Sequence, residues 1–289
     1  MTIATDTALR SVLYMPGANQ RAMDKARDLP CDAVVFDLED AVAPDAKAAA
    51  RDAVAAQLGA GGYGSRQLVV RCNGLGTPWG RDDLRAMAAT GVDTLCLPKV
   101  ESEGELDSVC SVLAGAGRSD IRLWPMLETP AGIAAARDIA RQRAVGALVM
   151  GTTDLASELG VPHRPDRLGL CYALGEAVLA ARLAGVAVLD GVYLDFKDSA
   201  GFRAICEQGR ALGFDGKTLI HPSQIDAANT VFGPTPEAVA WAERVLEAWA
   251  AAEREGKGLA VLDGKLVETM HVDEARRTLA LARQIAGRG

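Results

Sequence analysis

The chain has 289 residues, with 31 Lys and Arg against 38 Asp and Glu and a net charge of −7 at pH 7, and it is long enough for one large α/β domain or two smaller ones. No basic run is present, which argues against nucleic acid and anionic membrane surfaces as partners. No apolar run is long enough to span a membrane, the first residues lack a secretion signal, and the six scattered cysteines resemble reduced core residues, so we expect a soluble, cytoplasmic protein.

Short apolar runs alternate with helical patterns along most of the chain. The runs predict strands over residues 11–15, 33–38, 68–70, 94–97, 122–127, 147–150, 186–189 and 218–220. The intervening patterns predict helices over residues 19–28, 44–58, 82–89, 103–113, 131–143, 167–183 and 199–212. The strands are almost wholly apolar, as strands buried on both faces are. Eight such strand-helix units predict an α/β fold, the (β/α)8 TIM barrel, rather than an open sheet.

The pattern changes after residue 224. An amphipathic helix over residues 236–255 is followed by a hairpin over 259–267, with its turn at Asp263 and Gly264, and by a last helix over 272–285. These elements cannot belong to the eight-fold repeat. We therefore expect a barrel domain over residues 1–232 and a C-terminal extension over 233–289 that packs on the barrel or reaches a neighbouring subunit.

Charged and polar residues follow the apolar part of most predicted strands. In a parallel barrel these positions share one face, which is the catalytic face. An acid cluster with one arginine and one lysine on that face indicates a site rather than separate helix caps. The residues concerned are Glu39, Asp40, Arg71, Lys99, Glu128, Asp154, Asp190 and His221.

Glu128 and Asp154 each close one of two strands that flank a helix, and such strands are parallel neighbours. Both carboxylates then converge at one rim, an arrangement that can hold a hard divalent cation with positions open for substrate. The alternative is that each acid caps the helix that follows it. The three histidines, His163, His221 and His271, share no metal-ligand spacing, which favours Mg²⁺ or Mn²⁺ over zinc.

The same pocket can bind a substrate that carries negative charge. A cation on two carboxylates is suited to chelating a 2-oxo acid, and it acts as a Lewis acid on the oxygen that gains charge. Arg71 can donate to an enolate or carboxylate oxygen, because its guanidinium is planar and permanently charged. Glu39 and Asp40 can hold waters bound to the metal.

Eight segments in order along the chain resemble the HpcH/HpaI aldolase and citrate lyase beta-subunit superfamily. Within it, the citrate lyase beta-like branch with the malyl-CoA and citramalyl-CoA lyases is the most similar. The segments are RSVLYMPGAN (10–19), VVFDLEDAV (34–42), VVRCNG (69–74), LPKVES (97–102), MLETPAGI (126–133), GTTDLASELG (151–160), GKTLIHPSQI (216–225) and DGKLVE (263–268).

The resemblance implies roles for the residues at the strand ends. Glu128 and Asp154 bind Mg²⁺, Arg71 contacts the acyl oxygen of the substrate, and Glu39 and Asp40 support the waters of the metal. The implied coenzyme A pocket involves Arg10, Tyr14, Lys47, His221 and Pro222, with positive side chains on phosphate. For Lys47 a solvated helix lysine is an equal alternative.

The resemblance also implies a residue that one subunit supplies to the next. In coenzyme A-dependent members an aspartate near the C-terminal hairpin acts on the acyl α-carbon in a neighbouring subunit, which implies a homo-oligomer, a trimer or hexamer. This chain has Glu268 at that position. One extra methylene moves the carboxylate by more than about 1 Å, and misplacement on that scale can cost about 100-fold in rate.

We therefore expect a Mg²⁺-dependent lyase that cleaves a malyl-CoA or citramalyl-CoA type thioester into an acyl-CoA and a 2-oxo acid. The nearest alternatives are a citrate lyase beta subunit that acts on citryl-acyl carrier protein and a malyl-CoA thioesterase. An aldolase that does not use coenzyme A is less favoured, because that branch has an early histidine base and no C-terminal arm. A barrel without catalytic activity is the remaining alternative, and the glutamate at position 268 keeps it open.

Overall fold

The barrel predicted from the sequence is confirmed by a computed structural model, which describes residues 8–287. Eight parallel strands close in sequence order, each hydrogen-bonded to the next and β8 to β1. They are β1 Ser11–Pro16, β2 Ala33–Asp37, β3 Gln67–Arg71, β4 Thr94–Leu97, β5 Arg122–Leu127, β6 Ala147–Met150, β7 Ala187–Asp190 and β8 Gly216–Leu219. Every predicted strand overlaps one of them. The expected lack of a targeting signal rests mainly on the first seven residues, which lie outside the described range.

Helices follow the strands around the outside of the barrel. They are α1 Gln20–Lys25, α2 Lys47–Ala60, α3 Gly80–Ala88, α4 Glu103–Gly115, α5 Pro130–Ala134, α6 Ala136–Arg141, α7 Thr152–Glu158, α8 Cys171–Ala184, α9 Ser199–Leu212 and α10 Ile225–Phe232. The single helix predicted over 131–143 is divided at Ala135, whose φ of −94° and ψ of 4° interrupt it. The periodicity misses α7 and α10, because each has only about two turns.

The strand side chains alternate between two apolar layers. One set fills the inside of the barrel and the other packs against the helices, as in other barrels of this type. The inner layer includes Val12, Val35, Val69, Trp124, Met126, Val149 and Leu189. The outer layer includes Leu13, Val34, Val70, Leu95, Leu123, Leu148, Val188 and Leu219. The position of a residue within this alternation therefore decides whether its side chain points into the barrel or toward the surrounding helices.

Asp190 shows this effect and corrects one expectation. We expected its side chain on the catalytic face. Because it follows Leu189, which points into the barrel, the Asp190 side chain instead points to the outer layer and is buried there. Lys217 Nζ lies 2.9 Å from Asp190 Oδ2, and Arg167 Nη1 lies 2.6 Å from Oδ1. Lys217 also donates to the carbonyl of Gly191. Asp190, Lys217 and Arg167 thus form a buried ionic cluster that fixes the end of β7.

The C-terminal segment has an apolar cluster of its own. It contains α11 Pro236–Arg254, the antiparallel pair β9 Ala260–Leu262 and β10 Lys265–Val267, and α12 Thr269–Ala286. The predicted hairpin is confirmed, and Asp263 and Gly264 have the positive φ values, 50° and 74°, of a two-residue type I′ turn. The last helix begins three residues earlier than predicted, with Glu268 as its N-cap residue, and the Glu268 backbone N–H donates to His271 Nδ1 at 3.1 Å.

This segment faces its own barrel at the end opposite to the polar strand ends. A cleft of about 950 Å³ separates α12 from the amino-terminal ends of β1, β7 and β8. Its lining includes Leu9, Ala187 and Asp215 on the barrel side and Asp273 and Arg277 on α12. Among residues 8–287, no helix combines the length and the apolar character needed to cross a membrane.

Replacing Lys217 with methionine should lower the free energy of unfolding by about 3 kcal/mol. The substitution removes a cation from the buried cluster, in which Lys217 is 1% and Asp190 0% exposed, and leaves the Asp190 carboxylate with less compensating charge. Urea unfolding measures the effect. The matched control is Lys197→Met, since Lys197 is exposed and its replacement should cost less than about 0.5 kcal/mol. Equal stability of the two variants would show that the cluster does not support the fold.

Candidate active site

Polar side chains gather where the strands end on the other side of the barrel. Tyr14 and Asp37 lie on β1 and β2, Arg71 ends β3, and Glu128 directly follows β5. Asp154 lies in the first turn of α7, which follows β6. Because all eight strands are parallel, their carboxyl ends meet at this one rim. The structure therefore brings together the strand-end residues that we predicted for the metal and the acyl oxygen.

Arg71 is the most constrained of these residues. Its Nε and Nη2 bind the two carboxylate oxygens of Asp37 at 2.7 and 2.6 Å. Its Nη1 lies 2.9 Å from Glu39 Oε2 and 3.3 Å from Asp40 Oδ2. The guanidinium also lies 5.0 Å from the centre of the Tyr14 ring. Asp37 thus fixes one edge of the guanidinium and leaves Nη1 directed at the rim.

Asp37 is a site residue that the sequence analysis missed. It is buried at the end of an apolar strand, where it was counted as part of that strand. In the barrel it lies directly opposite Arg71 in the β2–β3 register, and it also accepts hydrogen bonds from the backbone of Glu39 and Ala41. A carboxylate and an arginine at equivalent ends of consecutive strands are the signal that could have identified it.

Glu128 is a buried carboxylate, 4% exposed. Its Oε1 accepts a hydrogen bond of 2.7 Å from the backbone N–H of Lys99, and its Oε2 lies against Gly151, where an added Cβ would be only 2.3 Å away. Burial raises the pKa of Glu128 to about 7, and the negative charges of Asp154 and Glu39 act in the same direction. Gly151 is therefore needed for the close approach of this side chain.

Asp154 is more open than Glu128, since 36% of its side chain is exposed. Its Oδ2 lies 3.2 Å from the ammonium of Lys99. The pKa of Lys99 is raised, mainly by its hydrogen bond to Asp154. Lys99 thus contacts both of the carboxylates that we predicted as metal ligands, one through its backbone and the other through its side chain.

The donors at this rim fit a hard divalent cation. Glu128 and Asp154 provide carboxylate oxygens, and the positive charge of Lys99 already lies beside them. Within residues 8–287 no group of three or more His, Cys, Asp and Glu has the arrangement of a complete metal site. Two protein carboxylates with the other positions left to water and substrate are typical of Mg²⁺ rather than of zinc.

The loop after β2 carries Glu39 and Asp40 and is held from below by Lys47. The Lys47 ammonium donates to the carbonyls of Leu38 and Glu39 at 2.8 and 2.7 Å and lies 5.3 Å from the centre of the Trp79 ring. Lys47 is only 6% exposed, so it is not a solvated helix lysine. Burial raises the pKa of Glu39 more than the shared Arg71 lowers it.

The residues predicted for coenzyme A fall into two places. Tyr14 and Pro222 line a small cavity of about 140 Å³ between β1 and β8 at the catalytic rim. His221 lies at the same rim, with its ring stacked on Phe196 at 4.6 Å. Arg10 precedes β1 at the opposite end of the barrel, where it forms paired hydrogen bonds of 2.8 Å with Asp32. The structure therefore separates Arg10 from the other members of this group.

Glu268 is also separated from the rim within its own chain. It caps α12 and is exposed, and it precedes Asp273 by five residues. Asp273 lines the cleft at the amino-terminal end of the barrel. A single chain thus assembles Arg71, Glu128 and Asp154 but does not bring Glu268 to them.

The chain is similar to known proteins over almost its whole length. Residues 10–222 match a family model described as HpcH/HpaI aldolase/citrate lyase. The chain is 49% identical over 277 residues to a (3S)-malyl-CoA thioesterase of Cereibacter sphaeroides, covering 96% of this chain and 95% of that protein. It is 36% identical over 281 residues to the citrate lyase beta subunit of Escherichia coli, covering 94% of this chain and 93% of that one.

Two solved structures from Mycobacterium tuberculosis are similar to the barrel. The protein CitE in complex with magnesium, acetoacetate and coenzyme A has a TM-score of 0.77 at 30% identity and covers 98% of this chain and 100% of its own. The citrate lyase beta subunit complexed with oxaloacetate and magnesium has a TM-score of 0.69 at 30% identity and covers 81% of this chain and 100% of its own.

Glu128 should make the metal-free protein less stable as the pH rises from 5 to 7. Its pKa of about 7 in the folded state lies above the ordinary value of 4.5, so the folded state binds more protons than the unfolded state in this window. Glu128→Gln removes this titration and should weaken the fall. Thermal unfolding in EDTA across this range measures the effect, and equal slopes for the two proteins would contradict it.

Proposed function

The chain belongs to the HpcH/HpaI aldolase/citrate lyase family, and from this premise we propose that it is a Mg²⁺-dependent enzyme acting on a malyl-CoA type thioester. The observation that carries the proposal is the 49% identity, over 96% of the chain, to (3S)-malyl-CoA thioesterase. We accordingly propose thioester hydrolysis to malate and free coenzyme A as the reaction.

Carbon-carbon cleavage, the reaction that we favoured from the sequence, is the second candidate. It would yield an acyl-CoA and a 2-oxo acid. The 36% identity to a citrate lyase beta subunit supports it, as does the similarity to a structure that binds magnesium, acetoacetate and coenzyme A. Citryl-acyl carrier protein is the corresponding alternative substrate.

Glu128 and Asp154 would hold the cation, and Mn²⁺ is a possible substitute for Mg²⁺. When bound, the cation supplies a Lewis acid for the hydroxyl and carboxylate oxygens of the malyl group. Glu39 and Asp40, which lie beside Arg71 at the rim, would accept hydrogen bonds from water there. Lys99 donates its backbone N–H to Glu128 and so orients that carboxylate.

Arg71 would donate through Nη1 to the oxygen of the thioester carbonyl. Asp37 holds the opposite edge of the guanidinium, so the donor is oriented before the substrate arrives. In hydrolysis, water adds to the carbonyl carbon, the carbon-sulfur bond breaks and coenzyme A leaves as the thiol. In cleavage, the hydroxyl gives its proton to a base, its oxygen becomes the oxo group of the 2-oxo acid as the carbon-carbon bond breaks, and the acyl-CoA enolate that remains takes up a proton at its α-carbon. Both reactions place negative charge on the oxygen that Arg71 contacts.

Glu268 of a neighbouring subunit would supply the base. It takes a proton from water in hydrolysis, or exchanges one with the α-carbon in cleavage. Its distance from Arg71 within one chain supports this assignment, since its own barrel cannot use it. Exposed apolar side chains on the hairpin and the start of α12 are available for such a contact, namely Leu259, Val261, Leu266 and Met270. We therefore propose that residues 233–289 act as a unit that joins subunits into a trimer or hexamer.

Purified protein with Mg²⁺ and malyl-CoA should release malate and free coenzyme A in equal amounts. Asp154→Ala should reduce the rate by more than about 100-fold, because one ligand of the cation is lost. Chromatography of all products, with citramalyl-CoA in parallel, separates the candidates. Glyoxylate with acetyl-CoA would replace the thioesterase proposal with the lyase. No turnover of either substrate would refute both and turn attention to a carrier-protein thioester.

Mixed oligomers of Arg71→Ala and Glu268→Ala should regain activity that each variant lacks. If a subunit supplies Glu268 to its neighbour, about one quarter of the sites in a random mixture are complete. Co-expression of the two variants with different affinity tags, followed by assay of the doubly tagged species, measures this. The control is a mixture of Arg71→Ala with Asp154→Ala. Both residues belong to the same barrel, so every barrel in this mixture lacks one of them and no complete site forms. Equal activities of the two mixtures would refute the shared site.

A further inference from the structure

Lys99 has an unusual backbone conformation at the rim. It follows β4 and Pro98, and its φ of 50° lies in the left-handed region, which only three non-glycine residues of the described range adopt. Such a conformation is strained for any residue with a Cβ, whereas glycine adopts it freely. The conformation directs the backbone N–H at Glu128 Oε1, 2.7 Å away. Glycine could provide that bond equally well, so the side chain of Lys99 must provide something more.

The side chain contributes a positive charge to Asp154. Its Nζ lies 3.2 Å from Asp154 Oδ2, while 54% of the side chain is exposed. Arg71, by contrast, is only 10% exposed and is held by two hydrogen bonds to Asp37. Unlike Arg71, Lys99 can leave its partner, because its four-carbon stem can swing into solvent without opening the barrel.

A divalent cation and the Lys99 ammonium compete for the same carboxylate, Asp154, whose Oδ2 lies 3.2 Å from Nζ. A cation bound to this carboxylate would lie close to the ammonium, and the two positive charges repel each other at close range. Glu128 does not face this conflict, since only its Oε1 is engaged, and that by a neutral N–H. Binding of the cation at this rim thus favours movement of the ammonium away from Asp154 and leaves the backbone contact with Glu128 intact.

We propose that the Lys99 side chain is an internal competitor of the cation: it neutralises Asp154 in the metal-free protein, is displaced when the cation binds, and so sets the affinity of the site. This inference rests on the Mg²⁺ site of the proposed function. Lys99 acts as a positioning residue, through its backbone on Glu128 and through its charge on Asp154. Its role is to keep the acidic rim compensated between cycles of cation binding.

Isothermal titration of the metal-free protein with Mg²⁺ tests this. Lys99→Met keeps the length of the stem and the backbone N–H but removes the charge, and it should lower the dissociation constant by about 3- to 30-fold. Lys99→Arg retains a competing cation and should bind Mg²⁺ within about twofold of the wild type. Lys197→Met, which removes an exposed charge from the β7–α9 loop, should also leave the affinity unchanged.

A second measurement distinguishes competition from a general effect of charge. In EDTA, Lys99→Met should have a lower melting temperature than the wild type, because Asp154 has lost its partner. In saturating Mg²⁺ this difference should disappear, since the ammonium no longer contacts Asp154 in either protein. A difference that persists in saturating Mg²⁺ would overturn displacement of the ammonium.

The outcomes also separate this inference from the proposed function. Equal or weaker Mg²⁺ binding by Lys99→Met, with normal binding by the wild type, would overturn the competitor and leave the metal site standing. No Mg²⁺ binding by any of the four proteins would overturn the metal site and the competitor together. Mg²⁺ binding by Lys99→Met alone would support both the metal site and the competition, because it would mean that the Lys99 ammonium blocks the cation in the wild type.

Discussion

An excess of buried negative charge governs the catalytic end of this barrel. Asp37, Glu39 and Glu128 are largely withdrawn from water, and a buried carboxylate must be paired with a cation, be protonated or bind a metal. The chain uses the first two solutions. Arg71 pairs with Asp37 and Glu39, while burial raises the pKa of Glu128 to about 7. In the proposed function, a divalent cation provides the third solution, and it binds the carboxylates that Arg71 leaves uncompensated.

The barrel and the centre of the site could be predicted because both depend on strand order alone. A run of apolar residues identifies each buried strand, and its last residue marks the rim. Parallel strands carry their ends to that rim whatever the details of packing. Arg71, Glu128 and Asp154 therefore come together in the structure as the sequence indicated. Asp37 could have been predicted in the same way, since its register with Arg71 follows from the same topology.

The remaining assignments depended on side-chain direction and on which end of a strand a residue occupies. Asp190 comes one residue after the inward-facing Leu189, so its side chain points outward, where it pairs with Lys217. Arg10 belongs to the same sequence segment as Tyr14, but Arg10 precedes β1 and binds Asp32, whereas Tyr14 lies in the second half of that strand, nearer the rim. Lys47 reaches back to the carbonyls before its own helix. No periodicity in the sequence reports these directions.

The two proposed reactions, hydrolysis and carbon-carbon cleavage, would both place negative charge on the thioester oxygen, which Arg71 would contact in either case. They differ in the atom that the base must serve, which is a water at the carbonyl carbon in one case and the α-carbon in the other. The proposed base, Glu268, lies on the C-terminal segment, far from its own Arg71. In the proposed oligomer, its reach would be set by the contact between subunits and by the one methylene that glutamate has more than aspartate. In the proposed function, the barrel would bind the thioester and the cation, whereas the choice between the two reactions would depend on where the hairpin of a neighbouring subunit places this carboxylate.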